Sequence, residues 1–88
     1  MTFRIEFTRS AAKALKSIPK TDQKRIAKKI ESLAEGPLEP AKTKMKGDNP
    51  FHRVRVGDYR IIYEIQNEIF LVLILKIGHR KEVYRRLS

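Results

Sequence analysis

The apolar residues of this chain change their spacing twice, and that change limits the folds open to it. In Thr2 to Phe7 they alternate, with Phe3, Ile5 and Phe7 on one side, as in a strand half buried against a core. A helical spacing follows. Thr8 and Ser10 offer N-cap oxygens to a short helix carrying Ala11, Ala12, Leu15 and Ile18, and Pro19 ends it. From Lys20, Ile26, Ala27, Ile30, Leu33 and Ala34 form the apolar stripe of a second helix, which Gly36-Pro37 stops. After Phe51 the spacing returns to two in three short segments, Phe51 to Val56, Tyr59 to Gln66 and Ile69 to Ile77. Gly57-Asp58 and Asn67-Glu68 join them as hairpins, and Gly78 breaks the last. Arg80 to Leu87 is left as a short terminal turn or helix.

This order predicts an α+β fold: strand, helical hairpin, then an antiparallel meander, giving a mostly antiparallel four-stranded sheet with the hairpin on one face and the other face open. The second and third segments of the meander are rich in Ile, Leu and Val and read as central strands. Phe51 to Val56 carries charge and reads as an edge. Between the helices and the meander, Pro37 to Pro50 has three prolines and Lys42, Lys44 and Lys46 at alternate positions, the pattern of a basic loop.

Eighty-eight residues hold one modest core, so residues 1–88 are expected to form a single domain. With no cysteine and only two histidines, neither a disulfide framework nor a structural zinc site is expected. The alternating start resembles no signal peptide, and the longest apolar run is too short to span a bilayer. A reducing cytoplasm is therefore the expected compartment. Twenty Lys and Arg against ten Asp and Glu leave a formal charge of +10, which calls for a polyanionic partner. Nucleic acid fits better than a membrane, because the long basic helix carries no aromatic residue to seat in lipid.

Period two places Arg53 and Arg55 on one face of their strand, with His52, Val54 and Val56 on the other. Arg60 lies across a tight turn from them, in a strand otherwise apolar, where a guanidinium must be paired or functional. Arg80 follows the final strand. These four arginines are expected to converge, although charged edges also serve simply to prevent aggregation. Lys24, Arg25, Lys28 and Lys29 lie opposite the apolar stripe of the second helix, either as a solvated face or, for Lys24, Arg25 and Lys28, as RNA contacts. Lys42, Lys44 and Lys46 are expected to touch RNA backbone. His52 reads as structural. His79 is a possible proton carrier, and Tyr84, close in sequence to Arg80, either caps the core or joins the site.

Several segments together carry a resemblance: Lys44-Met45-Lys46-Gly47, Phe51-His52-Arg53-Val54-Arg55-Val56-Gly57-Asp58-Tyr59-Arg60-Ile61-Ile62-Tyr63-Glu64, Ile77-Gly78-His79-Arg80 and Glu82-Val83-Tyr84. Over almost the whole chain the sequence resembles the RelE family of toxins, within the RelE and ParE superfamily. The resemblance implies an endoribonuclease that cleaves messenger RNA in the ribosomal A site and is silenced by a cognate antitoxin. Its partners would be mRNA on the ribosome, ribosomal RNA and that antitoxin, with no membrane, and it needs no cofactor. The family's active positions fall on Arg53, Arg55, Arg60, Arg80 and Tyr84. Better-known members have lysines where this chain has Arg53 and Arg55, and arginine cannot give up its proton to act as a base. Tyr84 is then the favoured base, a phenol whose acidity neighbouring guanidinium charge would raise. Two other readings share the fold or the charge: a ParE-like inhibitor of DNA gyrase, and a non-catalytic RNA- or ribosome-binding domain.

Overall fold

The computed structural model describes residues 2–35 and 50–79. The expected loop lysines Lys42, Lys44 and Lys46, the terminal segment after His79, and with it Arg80 and Tyr84, lie outside the described residues. Within them the order is β1 (Arg4–Phe7), α1 (Arg9–Ser17), α2 (Lys20–Ala34), β2 (Phe51–Val56), β3 (Tyr59–Gln66) and β4 (Leu71–His79). The sheet order is β1-β4-β3-β2, so β3 and β4 are central and β2 is an edge. Both were anticipated from their composition. β1 runs parallel to β4, with Arg4 opposite Leu71 and Phe7 opposite Ile74, while the other pairs are antiparallel.

Local chemistry sets each boundary. Thr8 caps α1: its Oγ1 accepts from Ala11 N at 3.1 Å and donates to Leu75 O at 2.8 Å, tying the helix start to β4. Ile18 closes α1 and Pro19 opens α2, where a missing N–H leaves no donor stranded. Gln23 Nε2 reaches back across this corner to Leu15 O at 2.7 Å, satisfying one of the carbonyls that a helix end exposes. At the far end of α2, Phe3 N donates to Ala34 O. The helical hairpin is thus pinned to the sheet at both ends.

Ala11 of α1, Ile18 at its end, and Ile26, Ile30 and Leu33 of α2 pack on Ile61 and Tyr63 of β3 and on Val72, Ile74 and Ile77 of β4. Along β4 the last two are three residues apart, an odd spacing that a regular strand would send to opposite faces. A register shift resolves it: Ile62 pairs with Lys76 but Tyr63 with Ile74, leaving Leu75 as an extra residue in β4. On β2, His52 is buried and stacks on Tyr63 with ring centroids 5.5 Å apart, in keeping with a structural role.

Three expectations need correction. Residue 69 does not begin a strand: Asn67–Ile69 forms a 3-10 turn, and Phe70 follows at φ 50. That left-handed residue is held by an edge-to-face contact with Phe3, centroids 5.6 Å apart, and by Arg4 N donating to its carbonyl at 2.7 Å. Gly78 does not break β4 either. It pairs with Arg60, and the strand continues to His79, because ladder hydrogen bonds need only backbone groups. Finally, the face away from the helices is not fully open: Ile62 has no exposed surface there, flanked in register by the long stems of Arg53 and Lys76.

Candidate functional site: an arginine row at one end of the sheet

The β2–β3 hairpin closes through Gly57 and Asp58, with Val56 opposite Tyr59. Gly57 takes φ +61, the left-handed conformation such two-residue turns require. Because the turn is this short, the register is fixed, and Arg55 falls directly opposite Arg60. Directly opposed Cβ atoms in an antiparallel pair stand about 5 Å apart. Arg53 projects from the same face two residues further along β2, about 7 Å away. Val54 and Val56 on β2, and Ile61 and Tyr63 on β3, face the helices instead.

Across β3 the row continues to Gly78, which is opposite Arg60 and adds no side chain of its own. The next row runs from Arg53 through Ile62 to Lys76, whose Nζ lies 3.4 Å from Ser10 Oγ of α1. Arg53 and Arg55 are exposed and Arg60 is half-buried. Guanidinium groups borne on one face of two neighbouring strands offer several forked N–H donors, so the arrangement suits a tetrahedral anion such as a phosphodiester.

The structure therefore brings together three of the expected residues, Arg53, Arg55 and Arg60. It does not bring His79 to them. His79 is in register with Tyr59 and meets its ring edge to face at 6.2 Å, beside Ser17 and Ile18 on the helical side of the sheet. The alternation that aims Arg60 away from the helices aims its neighbour toward them. Lys24, Arg25 and Lys28 are exposed on α2, likewise on the helical side. Among the described residues, no group of three or more His, Asp or Glu side chains is placed to hold a metal ion. No described helix is long and apolar enough to cross a membrane.

These features define a small α+β domain whose mixed sheet carries a guanidinium-rich end. The family model of the ParE toxin of type II toxin-antitoxin systems matches residues 5–84. Toxin RelE3 of Methanocaldococcus jannaschii is 32% identical over 85 residues, covering 92% of this chain and 94% of its own. Toxin RelG of Mycobacterium tuberculosis is 30% identical over 93 residues, covering 98% of this chain and all of its own. Among solved structures, the archaeal RelE–RelB complex from Pyrococcus horikoshii superposes with a TM-score of 0.75 at 32% identity, over 91% of this chain and 97% of that one. The chain belongs to the RelE/ParE family of type II toxin-antitoxin toxins.

Proposed function

We propose that the chain is a RelE-type endoribonuclease that cuts messenger RNA in the ribosomal A site of the cytoplasm, halting translation, and that a cognate antitoxin binds and silences it. The observation that carries this reading is Arg55 standing directly opposite Arg60, with Arg53 beside them, on a face the helical hairpin leaves uncovered. Forked N–H donors carried on one face of two neighbouring strands suit the oxygens of a phosphodiester.

The chemistry that suits such a site is attack of a ribose 2′-hydroxyl on the adjacent phosphorus. The new O2′–P bond forms as the P–O5′ bond breaks, leaving a 2′,3′-cyclic phosphate and a 5′-hydroxyl. Arg60, assisted by Arg53 and Arg55, stabilises the extra negative charge on the phosphorane. Tyr84 takes the 2′ proton, and Arg80 binds the scissile phosphate or passes a proton to the departing oxygen. None of these groups is a well-matched acid or base, and well-matched proton transfer is worth about 100- to 10,000-fold. The ribosome then supplies the missing rate by orienting the message in line.

Cleavage mapping on ribosomes programmed with a defined message tests this. Wild type is expected to leave 5′-hydroxyl ends at the A-site codon. Arg60→Gln is expected to cut about 100- to 1,000-fold more slowly, and Arg80→Ala and Tyr84→Ala to abolish cutting while the proteins stay folded. Variants that cut like wild type would remove the assignment. A second reading is favoured by the family model, which is that of ParE toxins: inhibition of DNA gyrase through protein contacts. Loss of plasmid supercoiling activity by purified gyrase, with intact messages, would select it.

A further inference from the structure

A basic concavity lies on the helical side of the β2 edge. A cleft of about 460 Å³ opens between α2 and the β2–β3 turn, lined by Arg25, Lys28, Lys29 and Ser32 of the helix. Arg55, Val56 and Gly57 form its opposite wall. The helical residues follow the spacing i, i+3, i+4, i+7, so they form one stripe beside the buried Ile26, Ile30 and Leu33. Arg25 crosses to the turn: a Cβ built on Gly57 would meet its guanidinium at 3.5 Å. Its loose contact with Asp22, Nη1 to Oδ1 at 3.8 Å, leaves most of the guanidinium fork available. No carboxylate lines this cleft among the described residues, while Arg55 belongs both to it and to the arginine row.

We infer that this cleft is a second RNA site, holding backbone phosphates of the strand that flanks the cleavage point, with Arg55 as the hinge over which the strand turns the β2 edge. The inference rests on the proposed RNA-directed reading of the arginine row. Cations one helical turn apart, about 6 Å along α2, track a stretched phosphate backbone, and a positively charged groove of this kind is how single strands are held without sequence preference. An acidic peptide fits less well. Amphipathic protein segments seat apolar anchors in apolar grooves, and among the described residues Val56 is the one bulky apolar side chain in the lining.

The test uses the free toxin and 2′-O-methyl RNA, which lacks the nucleophile and cannot be cut, in lengths of about 4 and about 16 nucleotides. Binding is followed by fluorescence anisotropy against salt. The triple variant Arg25→Gln/Lys28→Gln/Lys29→Gln is compared with Lys13→Gln/Lys16→Gln/Lys20→Gln, which removes the same charge from exposed positions outside the cleft. Three lost phosphate contacts lower the salt slope by about 2, so between about 50 and 200 mM salt the long RNA should weaken roughly 16-fold less for the cleft variant than for wild type. The control variant should keep most of the wild-type slope, and the short RNA should not distinguish the proteins. Equal slopes for long and short RNA on wild type, or equal losses in the two variants, would overturn the cleft site. So would a cleft variant that keeps its RNA slope but loses affinity for polyglutamate, since that assigns the cleft to an acidic protein partner. If wild type leaves ribosome-bound message intact yet shows the length-dependent slope, the nuclease reading fails and the cleft stands.

Discussion

Replacing Arg55 with Gln should make this protein more stable while weakening its hold on RNA. Arg55 and Arg60 are directly opposed across the hairpin, and Arg53 lies on the same face. Two unit charges about 6 to 8 Å apart at an effective dielectric of about 20 to 80 repel by about 0.5 to 3 kcal/mol. Arg55 is exposed, so solvent screening places the recoverable part at the low end, about 0.5 to 1 kcal/mol. In a domain of this length that raises Tm by about 2 to 8 °C. Thermal unfolding by circular dichroism should show the gain near 0.01 M salt and lose most of it near 1 M, where the screening length falls to about 3 Å. Anisotropy with 2′-O-methyl RNA should show weaker binding in the same variant. An unchanged or lower Tm at low salt, or a gain that salt leaves intact, would refute a net repulsion on Arg55 from its neighbours in the row.

Two further substitutions probe the scaffold beneath the row. Thr8→Val keeps the side-chain shape but removes the α1 cap and the donor to Leu75 O, and should lower stability by about 1 to 3 kcal/mol in urea unfolding. A shift below about 0.5 kcal/mol would deny the tie between helix start and β4. Gly57→Ala should cost about 1 to 2 kcal/mol through the φ of +61 alone, since the added methyl meets Arg25 at an ordinary contact distance. A neutral midpoint in the same assay would mean that the turn relaxes.

Much of this architecture was legible because one physical rule governed each stretch. Where one face is buried, spacing reports secondary structure, so α1, α2, β2 and β3 came out close to their observed bounds. Composition marked β3 and β4 as central, and the tight turn placed Arg60 beside Arg53 and Arg55, while the register that sets it directly opposite Arg55 comes from the structure. What escaped depended on three-dimensional packing. Phe70 adopts a left-handed backbone because Phe3 receives its ring, a partner 67 residues away. His79, singled out as a possible proton carrier for its place beside Arg80 in sequence, is set by strand alternation against Tyr59, on the other side of the sheet from Arg53, Arg55 and Arg60. The α2 cations were read as one face opposite the apolar stripe, but only the docking of α2 on β2 separates Arg25, Lys28 and Lys29 from Lys24 and adds Ser32 and Gly57.

The bulge at Leu75 was equally hidden, and it divides the sheet by purpose. On one side, Tyr63–Gln66 pairs with Leu71–Ile74, which in turn holds β1; on the other, Tyr59–Ile62 pairs with Lys76–His79 and carries Arg60. Deleting Leu75 would leave a regular strand in which Val72, Ile74 and Ile77 still face inward and Lys76 and Gly78 outward, so the protein should fold. It loses the acceptor for Thr8 Oγ1 and one half-buried leucine, about 2 to 3 kcal/mol together. A bulge also bends its strand and increases the local twist, so its removal re-aims the arginine end relative to the helix-anchored half. Misplacement by about 1 Å can cost 100-fold in a positioned reaction. Cleavage of ribosome-bound message, corrected for the folded fraction measured in urea, should therefore fall by about that factor. A deletion variant that folds and cuts like wild type would mean that the bulge merely absorbs an odd residue; one that cannot fold would mean that the regular register is unavailable to this core.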